Sequence, residues 1–185
     1  MIETTKQAGN PVSTNRFGLW LFFLSESFLF IALLGARYYI QGVRRPPDLN
    51  QFLGLVISII LILSSLTAYR GELAISQGQE KAFRRNIIYT ISLGILFLVG
   101  VGIEWAEGFR LFPPNTGFGT IFFTLTGFHA FHVITGLLAL VTLLLPSRRG
   151  RYTPQNYWGA EAIVKYWHFV DLAWIFIFPT LYLVS

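Results

Sequence analysis

Cysteine is absent from the 185-residue chain, and charge is scarce, with Asp, Glu, Lys and Arg making up 12% of it. Without cysteine there is no disulfide framework, no thiolate metal site and no thiol nucleophile. A soluble domain usually carries about 25% charged residues, so the low figure speaks against one. Gly-x-Ser-x-Gly, a phosphate-binding glycine loop and any other nucleophile motif are also missing, as are internal repeats and low-complexity tracts. No stretch between the apolar segments is long enough for a soluble domain. Residues 1–16 are polar, and the apolar run after them is too long for a signal-peptide core and contains a glutamate, so no cleavable signal is expected.

What the chain does have is apolar surface. Hydrophobic residues make up 54% and aromatics 17%, with a mean hydropathy of +0.56. This is the composition of a polytopic membrane protein. Five segments, 17–40, 52–69, 87–106, 120–145 and 161–184, each come near the ~20 residues a spanning helix needs, and none alternates as barrel strands do. The expectation is an all-α, five-transmembrane-helix bundle forming a single membrane domain over residues 1–185. The connectors are short, two of them marked by Pro46-Pro47 and Pro113-Pro114.

The net charge of +5 does not point to nucleic acid, because the basic residues sit in loops between spans. Ten of the fourteen, Lys6, Arg16, Arg70, Lys81, Arg84, Arg85, Arg148, Arg149, Arg151 and Lys165, fall on the side of the N-terminus. Arg37, Arg44, Arg45 and Arg110 fall on the other. The positive-inside rule then puts the N-terminus in the cytoplasm and the C-terminus outside.

Several polar residues interrupt the spans. Glu26 lies about ten residues into the first, hence about 15 Å deep. An ionised carboxylate there is costly, so it should be protonated, hydrogen-bonded or wetted. The hydroxyls of the second span can bond back to their own helix, which reads as scaffold. Gly94, Gly100 and Gly102 in the third span, and Gly127 and Gly136 in the fourth, permit close helix approach. Glu104-Trp105 reads as interfacial, with the carboxylate reaching water. In the fourth span His129 and His132 are three apart, and in the fifth Glu161, Lys165 and His168 form a stripe with Asp171 one turn on. Pro179 should kink the outer end of the last span.

Glu26, His129, His132, His168 and Asp171 thus share a depth on three helices. Spacing alone favours a network that fixes helix register. A haem site with axial histidines or a proton relay comes second. A metal hydrolase or di-iron site comes last, because no glutamate accompanies the histidines at ligand spacing.

The stretches Phe17-Gly-Leu-Trp-Leu-Phe-Phe-Leu-Ser-Glu26, Glu104-Trp105, Thr126-Gly-Phe-His-Ala-Phe-His-Val-Ile-Thr-Gly136, Glu161-Ala162 and Tyr166-Trp-His-Phe-Val-Asp-Leu-Ala-Trp174 occur in this order. In these the chain resembles subunit III of the haem–copper terminal oxidases, the cytochrome c oxidase subunit 3 family. The resemblance touches every span but the second.

It implies a subunit of a proton-pumping oxygen reductase in a bacterial cytoplasmic (inner) membrane. Such a subunit carries no catalytic residue and no cofactor or metal of its own; haem and copper sit in partner subunits. Its partners would be subunit I, other oxidase subunits and phospholipid. By the same carry-over, Glu26 matches a mid-membrane carboxylate facing a lipid cleft. His129, His132, Glu161, His168 and Asp171 match the family's intramembrane polar set, structural and lipid- or proton-related. Seven-helix members carry two more helices before the Phe-Gly-x-Trp segment, and five-helix forms occur in bacterial branches, including quinol oxidases. Both cytochrome c and quinol therefore remain open as electron donor. A nitric oxide reductase-associated relative of the family and a stand-alone haem-binding membrane protein are the alternatives.

Overall fold

The computed structural model describes residues 11–42, 49–147 and 152–184. Lys6, Arg44, Arg45, Arg148, Arg149 and Arg151 of the charge tally lie outside them, as do Pro46 and Pro47. Five helices follow one another: α1 (Pro11–Gln41), α2 (Gln51–Ser76), α3 (Glu80–Leu111), α4 (Gly117–Ser147) and α5 (Trp158–Phe178). All five are long and apolar enough to cross a membrane. Helix is the expected answer in hydrocarbon, because it satisfies every backbone N–H and C=O within the segment.

The helices outrun the apolar segments, most of all at α2 and α3. These two are separated only by residues 77–79. The turn is closed by glycine: Gly78 has φ 74°. Its N–H donates to Ile75 O at 3.0 Å, and the next N–H, of Gln79, donates to Ala74 O at 2.8 Å. That is the Schellman pattern, which needs a left-handed residue that only glycine adopts without strain. At the opposite end of the helices Asn50 caps α2 by accepting from Leu53 N–H at 3.0 Å, and Thr116 Oγ1 accepts from Gly119 N–H at 3.0 Å beside the start of α4. Pro179 does not produce a simple kink. The α-helix stops at Phe178, and the chain continues as one π-helical turn, Pro179–Leu183, closed by Val184 N–H on Pro179 O at 3.0 Å.

Helices α2, α3, α4 and α5 pack in a ring, each against the next and α5 back on α2; α1 lies outside the ring, against α4 and α5. Small residues let the ring close. Trp167 of α5 is wedged between Gly94 of α3 and Gly136 of α4; a Cβ on either glycine would come within 2.7 Å and 2.9 Å of its ring. Ile57 occupies the space above Gly100, and the Tyr182 ring covers Gly54. Gly102 faces open space instead.

Polar pairs then fix the register between antiparallel α2 and α5. Trp167 Nε1 donates to Ser64 Oγ at 3.0 Å, and two turns later Trp174 Nε1 donates to Ser58 Oγ at 2.8 Å. A third indole, Trp105 of α3, donates to Thr126 Oγ1 of α4 at 3.0 Å and lies over Gly127. Helix α1 is attached mainly through rings: Phe23 stacks on Phe169 with centroids 5.1 Å apart, and Phe30 meets His132 at 5.2 Å.

Gly94→Leu should drive a side chain into Trp167 and lose roughly 1–3 kcal/mol or more of stability, as core overpacking does. Gly102→Ala should be tolerated, since nothing lies within 4 Å of the new methyl. Thermal unfolding of both variants in mild detergent checks the contrast.

Candidate functional site

The expected cluster of five mid-membrane groups is distributed over separate places. Glu26 of α1 and His132 of α4 form one pair, with Oε2 and Nε2 3.0 Å apart. His132 Nδ1 lies 2.7 Å from the Phe128 carbonyl oxygen, so both of its ring nitrogens are engaged. The pair lines a cleft of about 570 Å³ between α1 and α4, floored by Ala162, Ile163 and Tyr166 of α5. The Tyr166 hydroxyl is 2.7 Å from Thr135 Oγ1, which itself donates to His132 O at 2.9 Å. Apart from Glu26, His132, Thr135 and Tyr166, the residues lining the cleft are apolar.

His129, one turn before His132, does not face that cleft. It is fully buried, and neither ring nitrogen has a hydrogen-bond partner among the described residues. Its ring lies against Trp174 at 4.8 Å, Phe97 at 5.6 Å and Phe30 at 6.4 Å. The histidine therefore packs as an aromatic in the middle of the bundle.

His168 turns to the other side of α1. Its Nδ1 is 2.7 Å from Ser65 Oγ of α2, and it lines a second groove, between α1 and α5, with Trp20, Phe23, Ser27, Lys165 and Phe169. Further along, the same groove is bounded by Phe30, Leu34 and Phe176. Asp171 is buried one turn beyond; Ser65 lies near enough to bear on its carboxyl, but neither oxygen makes a hydrogen bond of good geometry.

Glu161 is not at mid-depth. It stands in the first turn of α5, where a carboxylate also complements the helix dipole. It accepts from Arg16 of α1 at 3.3 Å and from Lys165 one turn on. The Trp158 ring lies 5.5 Å from the Arg16 guanidinium and 5.9 Å from the Lys165 amine. This ties the start of α1 to the start of α5.

Two groups read otherwise from the sequence. Glu104 does not reach water: it is 2% exposed, and the Tyr182 hydroxyl donates to its Oε2 at 2.5 Å. The π-helical turn after Pro179 carries Tyr182 over the bundle end, so the carboxyl is covered by the chain's own last residues. Arg37 is also fully buried, over the Phe118 ring and donating to Gly42 O. Ser58 and Ser64 of α2 bond to their own helix as read and also accept from Trp174 and Trp167, while Ser65 pairs with His168. Hydroxyl spacing of six or seven on α2 facing indole spacing of seven on α5 was the available signal. Among the described residues, no three His, Asp or Glu side chains gather as a metal-ligand set.

The family model described as cytochrome c oxidase subunit III matches residues 10–185. The chain belongs to that family. A cytochrome c oxidase subunit 3 from Corynebacterium diphtheriae is 38% identical over 88% of this chain and 85% of its own length. One from Synechocystis sp. is 36% identical over 95% and 78%. A probable cytochrome c oxidase subunit 3 from Nocardia farcinica is 33% identical over 89% and 85%. Five spanning helices in a subunit III chain make this a multi-pass membrane component of an oxidase complex.

His168→Leu leaves the Ser65 hydroxyl without its inter-helix partner and should lower stability by about 1–3 kcal/mol. Asp171→Asn keeps the shape of a side chain whose oxygens make no hydrogen bond of good geometry, and should be nearly neutral. Purified yield and unfolding temperature of the two variants decide the matter.

Proposed function

We propose that the chain is the non-catalytic subunit III of a proton-pumping haem–copper oxygen reductase in an aerobic respiratory chain. The single observation that carries this is the family match, which runs across residues 10–185 rather than one motif. The complex sits in a bacterial cytoplasmic membrane, with this chain as one membrane domain, its N-terminus on the cytoplasmic side. Arg16, Arg70, Lys81, Arg84, Arg85 and Lys165 at one end of the helices, against Arg37 and Arg110 at the other, support that orientation.

Haem and copper belong to the partner subunits. The arrangement of His132, with both ring nitrogens engaged, and of His129, closed in by three rings, supports a chain that ligates no iron itself. Its work is to pack against subunit I, hold phospholipid in the grooves beside α1, and sustain proton uptake through many turnovers. Glu26, His132 and Tyr166 face one such groove, Lys165 and His168 the other. His129, Glu161 and Asp171 belong to the supporting polar set.

Capture of the tagged chain from its native membrane should bring down haem–copper oxidase subunits, and the eluate should carry their optical spectrum. A chain that elutes alone, or with a haem of its own, overturns the reading. In the captured complex, Glu26→Ala should leave the initial oxygen-consumption rate close to the parent's and shorten the time to inactivation. Following turnover to exhaustion tests this, and equal lifetimes refute it.

A further inference from the structure

The Glu26–His132 pair can be read one step further from its hydrogen-bond directions. A carbonyl oxygen only accepts, so the 2.7 Å contact of His132 Nδ1 with Phe128 O requires a hydrogen on Nδ1. The other nitrogen, Nε2, faces Glu26 Oε2 at 3.0 Å. With no proton between them, two lone pairs would oppose each other and a bare carboxylate would remain. With two, an imidazolium would stand beside a neutral acid. One proton satisfies both atoms and leaves the pair without net charge.

The surroundings make that neutrality matter. The cleft walls are Leu19, Phe22, Leu29, Phe128 and Phe131, and the Phe30 and Phe131 rings lie 5.2 Å and 5.9 Å from the imidazole. Glu26 is the only titratable group α1 presents here, α4 adds His129 one turn away, and α5 adds the Tyr166 hydroxyl, engaged with Thr135. Of the charged trio, Arg16 stands ten residues back along α1, about 15 Å by helix rise, and Lys165 lines the other groove and pairs with Glu161. Helices α2 and α3 make at most sparse contact with α1. A net charge of either sign would therefore sit in apolar surroundings without a counter-ion, which desolvation strongly disfavours.

We propose that Glu26 and His132 form a binding site for a single proton, held jointly and bridging α1 to α4. The proton moves between Oε2 and Nε2: as the O–H bond breaks the N–H bond forms, giving carboxylate beside imidazolium, and the reverse restores carboxylic acid beside imidazole. The Nδ1 hydrogen stays on His132, donated to Phe128 O, throughout. This deepens the proton-related role proposed for these residues and rests on that reading for its biological meaning, but not for its geometry.

The test is a proton count on the full chain in lipid nanodiscs with isotope-labelled histidine and glutamate. Nitrogen NMR gives the protonation of each His132 nitrogen, and infrared difference spectra against Glu26→Gln give that of the carboxyl. His132→Gln assigns the imidazole signals; if it does not fold, the parent spectra and Glu26→Gln carry the count. The expected result is a hydrogen on Nδ1 and one proton shared by Nε2 and the carboxyl. A carboxylate beside an imidazole with bare Nε2, an acid beside an imidazolium, or a bare Nδ1 overturns the proposal. A count other than one in a chain that still captures oxidase subunits sinks this inference alone. A count of one in a chain that captures none leaves the pair intact and sinks the subunit III reading.

Discussion

Indole N–H groups buried in a membrane bundle have no water to turn to, and in this protein they turn to serine. Trp167 on Ser64 and Trp174 on Ser58 join α5 to α2 at two heights, and either bond alone would permit a slide that the other forbids. Each bond contributes only on the order of 1 kcal/mol. Their value lies in direction: they fix which turn of α5 meets which turn of α2. With that register set, Trp167 falls between Gly94 and Gly136, and the Trp174 ring meets Phe97 and His129. The ring of four helices closes around two tryptophans.

The attachment of α1 follows a different rule. It lies outside the ring, and its contacts are spaced along its length: an ion pair at the start, a stacked phenylalanine pair, then Glu26 on His132. Grooves remain on both sides because α1 rests on α4 and α5 without entering between them. A helix so held leaves apolar channels whose few polar groups sit at defined depths. Those grooves are where lipid would lie in the proposed role, and they exist because the four-helix ring is complete without α1.

The five helices long and apolar enough to span a membrane were legible in the sequence, because apolar length is a local signal. So were the close approaches at Gly94, Gly100 and Gly136. Partnership was not. Periodicity places Glu26, His129, His132, His168 and Asp171 at one height, but height is a single coordinate, and the rotation of each helix decides who meets whom. His129 and His132 differ by about 60° around the helix, since three residues at 3.6 per turn fall short of a full turn. That is enough to send one to the aromatic core and the other to the cleft. Glu104 was misread for a related reason: its depth is that of the interface, but the turn after Pro179 brings Tyr182 back over it.

The separation of the polar groups bears on what the set can do. A relay requires successive donors and acceptors within hydrogen-bond reach, and the chain divides its groups among an α1–α4 pair, an α2–α5 pair and an aromatic enclosure. Between the α1–α4 cleft and the α1–α5 groove stand Phe30 and Phe169, whose rings offer no proton path. Each pair is thus answered locally. In the proposed role, such local answering holds helices and lipid in place beside chemistry carried out by another chain.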